Sequence, residues 1–132
     1  MKTWRIGLLI VALTLSAAWS ALAQKSEVVP KYDLTTESTF RGTIVDISER
    51  NCPVSGGLGF HFILKVQDKP IEIHVTSSKF MKSYGLALNR GDHVEVVGSK
   101  VNFEGVETIF AREVIRGNET FAFRDKAGRP LW

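Results

Sequence analysis

From Thr39 to Ile115 the chain alternates apolar and polar residues in short runs, the period-2 signature of strands with one buried face. In the first run Thr43, Val45 and Ile47 fall on one side, with Phe40, Gly42 and Ile44 on the other. Phe60, Phe62, Leu64 and Val66 then alternate with His61, Ile63 and Lys65, and Ile71, Ile73 and Val75 alternate with Glu72 and His74. Asp68-Lys69-Pro70 separates these two runs, so they form a hairpin. A two-residue Asp68-Lys69 turn sets Gln67 opposite Pro70 and Ile63 opposite His74. His61, Ile63, Lys65, Glu72 and His74 then share the outward face, opposite the phenylalanines.

Thr76-Ser77-Ser78 supplies N-cap residues for a short helix carrying Phe80, Met81 and Tyr84, and Gly85 stops it. Arg90-Gly91-Asp92 turns the chain into a fourth strand, where Val94 and Val96 alternate with polar neighbours until Gly98 breaks the pattern at a bend or bulge. Asn102 to Gly105 is the next turn. Val106 to Ile115 is strand 5, with Ile109 and Ala111 on one side and Phe110 on the other. The order strand, strand, strand, helix, strand, strand predicts an all-β fold: a small five-stranded OB-fold Greek-key barrel with one short helix between strands 3 and 4. The first strand of such a barrel pairs in both halves, and Gly42 eases the bend that this requires. Arg116-Gly117-Asn118-Glu119 turns again, Thr120 to Arg124 reads as a sixth strand, and Phe121, Phe123 and Trp132 mark a C-terminal β extension packed on the barrel. Glu49 to Gly59, with Pro53 and three glycines, reads as a flexible loop between strands 1 and 2.

The first residues follow a different pattern. Lys2 and Arg5 precede an almost wholly apolar run from Ile6 to Ala18, and Ala21-Leu22-Ala23 is a small-x-small cleavage site. The apolar run is shorter than the roughly 20 residues that span a bilayer. Residues 1–23 are therefore expected to be a signal peptide cleaved after Ala23, leaving no transmembrane anchor and a periplasmic or secreted product. The expected organisation is signal peptide 1–23, N-terminal arm 24–38, barrel 39–116 and β extension 117–132. Tyr32 and Leu34 are the residues expected to pin the arm.

Cleavage changes the charge picture. Of the 132 residues, 109 remain, and Lys2 and Arg5 leave with the signal, so 15 basic residues face 14 acidic ones. A net charge near +1 argues against strong attraction to polyanions. The chain is long enough for one small domain, expected to be monomeric, and its single cysteine, Cys52, cannot form an internal disulfide.

No catalytic constellation assembles, so the protein is expected not to be an enzyme. Glu72 and Glu95 alternate onto solvent faces, and Ser55-Gly56-Gly57-Leu58-Gly59 lacks the Lys-Ser/Thr ending of a phosphate-binding loop. A haem-carrying His-x-x-x-Tyr motif is missing, since Ser78 follows His74 by four. The sharpest chemical feature is His61 with His74, diagonal neighbours roughly 7–8 Å apart in the expected register. Cys52 adds a third metal ligand if its loop folds over, and Glu72 a fourth; zinc or copper suits that set. Against this stands the plain reading, solvent-facing histidines and an inert or dimer-forming thiol, with no resident cofactor.

OB-folds bind oligonucleotides or oligosaccharides on the strand 2–3 face. Single-strand binders need a basic groove and aromatic platforms, whereas here Phe60 and Phe62 run in phase with the core. The expectation is a non-catalytic binding module of the bacterial cell envelope. Its contact face is His61, Ile63, Lys65, Glu72 and His74, its partner an envelope protein, a peptide or a glycan rather than nucleic acid. Lys65, Lys79, Lys82 and Arg90 form a basic rim. A metal-binding periplasmic protein using Cys52, His61 and His74, and a nucleic-acid-binding OB-fold, are the alternatives.

Three stretches carry a family resemblance: Gly91 to Ser99, Ala111 to Val114, and Arg124 to Trp132. The turn-Asp-x-Val-Glu-x-x-Gly rhythm of the first resembles the small periplasmic YgiW/YdeI group of bacterial OB-fold proteins. All three together resemble a set of secreted bacterial proteins ending in Arg-Asp-x-x-Gly-x-Pro-x-Trp. The resemblance implies a non-enzymatic periplasmic module.

Overall fold

A computed structural model describes residues 28–132; the expected signal peptide lies outside the described residues. The elements run β1 (Glu37–Cys52), β2 (Gly57–Val66), β3 (Lys69–Ser77), α1 (Ser78–Ser83), β4 (His93–Phe103), β5 (Val106–Arg116) and β6 (Glu119–Ala122), preceded by a 3-10 turn at Leu34–Thr36. The strands are ordered β3-β2-β1-β4-β5-β6, and a parallel β3–β5 pairing closes the sheet on itself. That is the OB-fold barrel expected from the order of elements, with β6 as its extension.

β1 runs through both halves of the barrel because its two ends pair with different strands. Glu37 to Thr43 lie against β4, and Thr43 to Cys52 against β2. Gly42 sits at the changeover, where a Cβ atom would come within 2.2 Å of the Lys65 carbonyl oxygen. Gly98 plays the same part between β4 and β5, at a bulge where a Cβ would meet the Phe110 carbonyl at 2.5 Å. A further bulge at Val45 corrects the expected alternation in β1. Val45 is the extra residue and faces solvent, while Ile47 returns to pack on the core.

The main core fills the barrel with Ile44, Phe62, Leu64, Ile73, Val96, Ile109 and Val114, all at most 1% exposed. Ser77 caps α1 by accepting from the Phe80 amide, and Gly85 ends it in a left-handed conformation. Met81 is buried there, whereas Tyr84 is exposed and stacks on Phe80. Phe123, just beyond β6, is fully buried in the main core, and Phe121 and Trp132 pack partly against it. In the arm Tyr32 donates its hydroxyl to Glu37 at 2.5 Å, while Leu34 is half exposed.

Two local expectations are corrected. The β2–β3 turn is Gln67-Asp68, both left-handed, rather than Asp68-Lys69, so Val66 faces Lys69 and Ile63 faces Glu72. This moves each partner by two positions and leaves every side chain on its expected face. The stretch Glu49 to Gly59 is no long loop: β1 runs to Cys52, β2 starts at Gly57, and only Pro53 to Gly56 turn between them.

Candidate metal centre

The outer face of the β1–β2–β3 ribbon is built by alternation. β1 contributes Ser48, Arg50 and Cys52, β2 contributes Gly59 and His61, and β3 contributes Glu72 and His74. Cys52 ends β1 opposite Gly57, and the tight turn is tied back to it by the Ser55 amide donating to the Cys52 carbonyl at 3.1 Å. The Gln67-Asp68 turn sets His61 directly opposite His74, and a register shift between Phe60 and His61 then leaves Val75 as the extra residue of β3. The two-position change at that turn makes the diagonal histidine pair a facing one, and the bulge lies next to it, as bulges often do beside functional sites.

The result is a compact donor set. One ligand atom each from Cys52, His61 and His74 lies within 4.8 Å of the other two. Cys52 Sγ stands 3.5 Å from His74 Nδ1, and the two imidazole centroids are 4.2 Å apart at 65°. On the far edge of the His74 ring, Nε2 lies 3.3 Å from Glu72 Oε1, and Arg50 in turn pairs with Glu72. Arg50 also donates from Nη1 to Ser48 Oγ at 3.1 Å. Gly59 makes the approach of Cys52 to His61 feasible: a Cβ there would sit 3.1 Å from both Cys52 Cβ and His61 Cε1.

These side chains are not on an open surface, which corrects the outward placement of the histidines. His61 is 1% exposed, His74 5% and Cys52 6%. The cover comes from elsewhere in the chain. Because β5 pairs with β3 in parallel, Phe110 lies beside His74, and its ring and that of Phe103 stand 5.7 and 5.5 Å from the imidazole. Val101 completes a second apolar cluster with Cys52, Phe103 and Phe110, roofed by Val29, Tyr32 and Val54.

Burial has an electrostatic consequence. It pushes the His61 pKa down to about 3, assisted by His74 and Arg50, and the His74 pKa down to about 4, assisted by Arg50. Both rings are therefore neutral at pH 7, the form that binds metals. His74 has partners on both ring edges. His61 has none: neither Nδ1 nor Nε2 finds a hydrogen-bond partner among the described residues. Leaving two buried polar atoms unpaired costs free energy that folded proteins ordinarily avoid.

The other expected contact residues do not join this cluster. Ile63 is half-buried, and Lys65 is exposed and pairs with Asp68. Of the rim, Arg90 pairs with Asp46, while Lys79 and Lys82 border a separate cleft with Ser55, Gly56 and Ser78. Phe60 and Phe62 are buried in the main core and offer no stacking platform. The third histidine, His93, lies apart and contacts Thr43. Sequence reasoning missed Arg50, Gly59 and Phe103 as parts of the site. For Gly59 a signal existed, a glycine two residues before a strand histidine. For Phe103 there was none, since its place depends on how the barrel closes.

Fold and cluster together define the class: an OB-fold protein with a buried Cys-His-His donor set. Over residues 36–121 the chain matches the MamS/MamX magnetosome protein family, and it belongs to that family. No curated protein matches it. Among solved structures it is similar to the N-terminal domain of the PriB protein from Thermoanaerobacter tencongensis, described as dimeric. Identity there is 22%, covering 64% of this chain and 99% of that one, with a TM-score of 0.50. The second single-stranded DNA binding protein (SSBb) of Mycobacterium smegmatis is 16% identical over 66% of this chain and 84% of its own, with a TM-score of 0.43. At these identities the likeness concerns the fold alone. Among the described residues no helix is long and apolar enough to cross a membrane.

Proposed function

We propose that this protein is an exported, non-catalytic OB-fold module that holds a soft or borderline transition-metal ion, copper or zinc, between Cys52, His61 and His74. The observation that carries the reading is His61, an imidazole buried to 1% exposure with both nitrogens unpartnered, beside a thiol and a second imidazole. An ion accepts a lone pair from one of those nitrogens and offsets part of the cost of burying it. One sulfur and two nitrogens suit copper or zinc better than the oxygen-seeking ions. Burial of all three side chains favours holding an ion over presenting it to a substrate. Export rests on the signal-like residues 2–23, and the family's name makes the magnetosome the place to look for the protein. Ile63 and Lys65 stay accessible for an envelope protein, peptide or glycan as a separate surface role.

The test is native mass spectrometry and calorimetric titration of the purified, reduced protein with Zn²⁺ and Cu(I). One ion per chain is expected, with binding lost in Cys52→Ser and His61→Ala. Absence of stoichiometric binding, or binding indifferent to both substitutions, overturns the reading.

A further inference from the structure

We infer that the centre is a three-coordinate Cu(I) site bound by Cys52 Sγ, His74 Nδ1 and one His61 nitrogen, with Glu72 acting as a positioning residue that Arg50 holds outside the coordination sphere. This rests on the metal-binding reading above and narrows it in two respects, the ion and the role of the carboxylate.

The first argument is donor count. Three ligand atoms converge within 4.8 Å, and the next donor in line, Glu72, is already committed. Its Oε1 faces His74 Nε2 at 3.3 Å and is paired with Arg50. Nε2 lies on the opposite edge of the ring from Nδ1, the atom that faces Cys52 Sγ. A carboxylate held at Nε2 therefore stands a full imidazole away from an ion at Nδ1. Phe103, Phe110 and Val101 cover the cluster with carbon, and Ser55 Oγ, on the Gly59 side, is turned to the Thr76 carbonyl, to which it donates at 3.4 Å. Zinc almost always takes four ligands, with water filling a vacancy where the protein leaves one. Cu(I) is a soft ion matched to thiolate and imidazole, and its softness and single charge let it rest on three such donors where Zn²⁺, equally d10, draws in a fourth.

The second argument is charge. Arg50 and Glu72 cancel one another. A thiolate with two neutral imidazoles carries −1, so Cu⁺ makes the buried centre neutral, whereas a divalent ion leaves an uncompensated +1 among aromatic rings. Uncompensated charge in an apolar interior is strongly disfavoured.

The third argument concerns Glu72. A metal-bound histidine commonly donates its other N–H to a carboxylate, which fixes the tautomer and the ring orientation. Here Glu72 Oε1 lies 3.3 Å from Nε2 and is itself anchored by Arg50, an anion on that edge that favours the Nε2–H tautomer and leaves the Nδ1 lone pair for the ion.

The experiment compares wild type and Glu72→Gln by Cu(I) competition against a chromophoric chelator, copper K-edge absorption, Zn²⁺ competition and the ¹⁵N shifts of His74 in the metal-free protein. Expected for wild type are one three-coordinate Cu(I) with one sulfur and two nitrogens, Zn²⁺ at least a thousandfold weaker, and the Nε2–H tautomer at His74. Glu72→Gln is expected to weaken Cu(I) about ten- to a hundredfold, to leave the edge spectrum unchanged and to loosen the tautomer preference. Three results overturn the inference while leaving metal binding intact: a coordination number that changes in Glu72→Gln, Cu(I) affinity unchanged by it, or four-coordinate Zn²⁺ bound as tightly as Cu(I). No binding of either ion overturns the inference together with the reading beneath it.

Discussion

The β2–β3 hairpin presents two buried faces that obey opposite rules. Inward, Phe62, Leu64 and Ile73 meet only carbon and are at most 1% exposed. Outward, His61 and His74 are nearly as well buried, yet they bring four ring nitrogens into a small apolar cluster, and two of those have no partner. The inner face is what a barrel needs to stay folded. The outer face is what a barrel optimised for stability alone would avoid, since each buried polar atom wants a hydrogen bond. Similar burial with unequal satisfaction separates scaffold from site.

Phe62→Ala removes a ring from the centre of the barrel and is expected to cost about 3–5 kcal/mol of stability. Denaturant unfolding measures it, and a loss below about 1 kcal/mol would show that the inner face is not the main core. Next comes acid. Both histidines have depressed values in the folded state, to about 3 and about 4, against about 6.5 unfolded. Below pH 6.5 the unfolded chain binds protons that the folded one refuses. Stability is thus fully present above that value and is lost as the pH falls toward 4 and then 3. The slope reaches at most about 1.4 kcal/mol per pH unit for each histidine. In the metal-free protein, unfolding midpoints from pH 7.5 to 5 should follow this fall, and His61→Leu should flatten it.

Gly59→Ala tests the junction of the two faces. Its Cβ must displace Ser55 Oγ, 2.6 Å away, and push on Cys52 and His61. Overpacking of this kind costs roughly 1–3 kcal/mol, and the expected signature is a metal affinity that drops more than the melting temperature does. Equal metal affinity in Gly59→Ala and wild type would show that the Cys52–His61 approach does not depend on that glycine.

How much of this was legible beforehand follows from which interactions are local. Strand periodicity and the Ser77 cap depend on neighbours in sequence, and Gly42 and Gly98 interrupt that periodicity visibly although the backbone they make room for comes from Lys65 and Phe110, so the barrel could be read. The shared face of His61, Glu72 and His74 was legible for the same reason: parity survives a turn misplaced onto Asp68-Lys69. Burial of that face was not legible, because its cover arrives from Phe103 and Phe110 and from Val29 and Tyr32 of the arm. Composition misled at Glu49 to Gly59, where glycine and proline suggested mobility. There the glycine at 59 serves close packing instead, and Cys52 ends a strand with a fixed direction.

The smallest effect discriminates best. If His61 is a scaffold residue, replacing it with Leu should destabilise the protein like other disruptions of a packed interior. If it is kept for an ion, Leu fills a similar volume, removes two unpartnered nitrogens, and should leave metal-free stability unchanged or raise it by up to about 1 kcal/mol. The same variant should lose the gain in melting temperature that Cu(I) gives the wild type, since a ligand stabilises only the state that binds it. A metal-free loss above about 2 kcal/mol, with metal-induced stabilisation intact, would move His61 to the scaffold and leave the outer face without its principal ligand. The reverse pair of results would mean that the barrel carries a standing cost at this position which only an ion relieves.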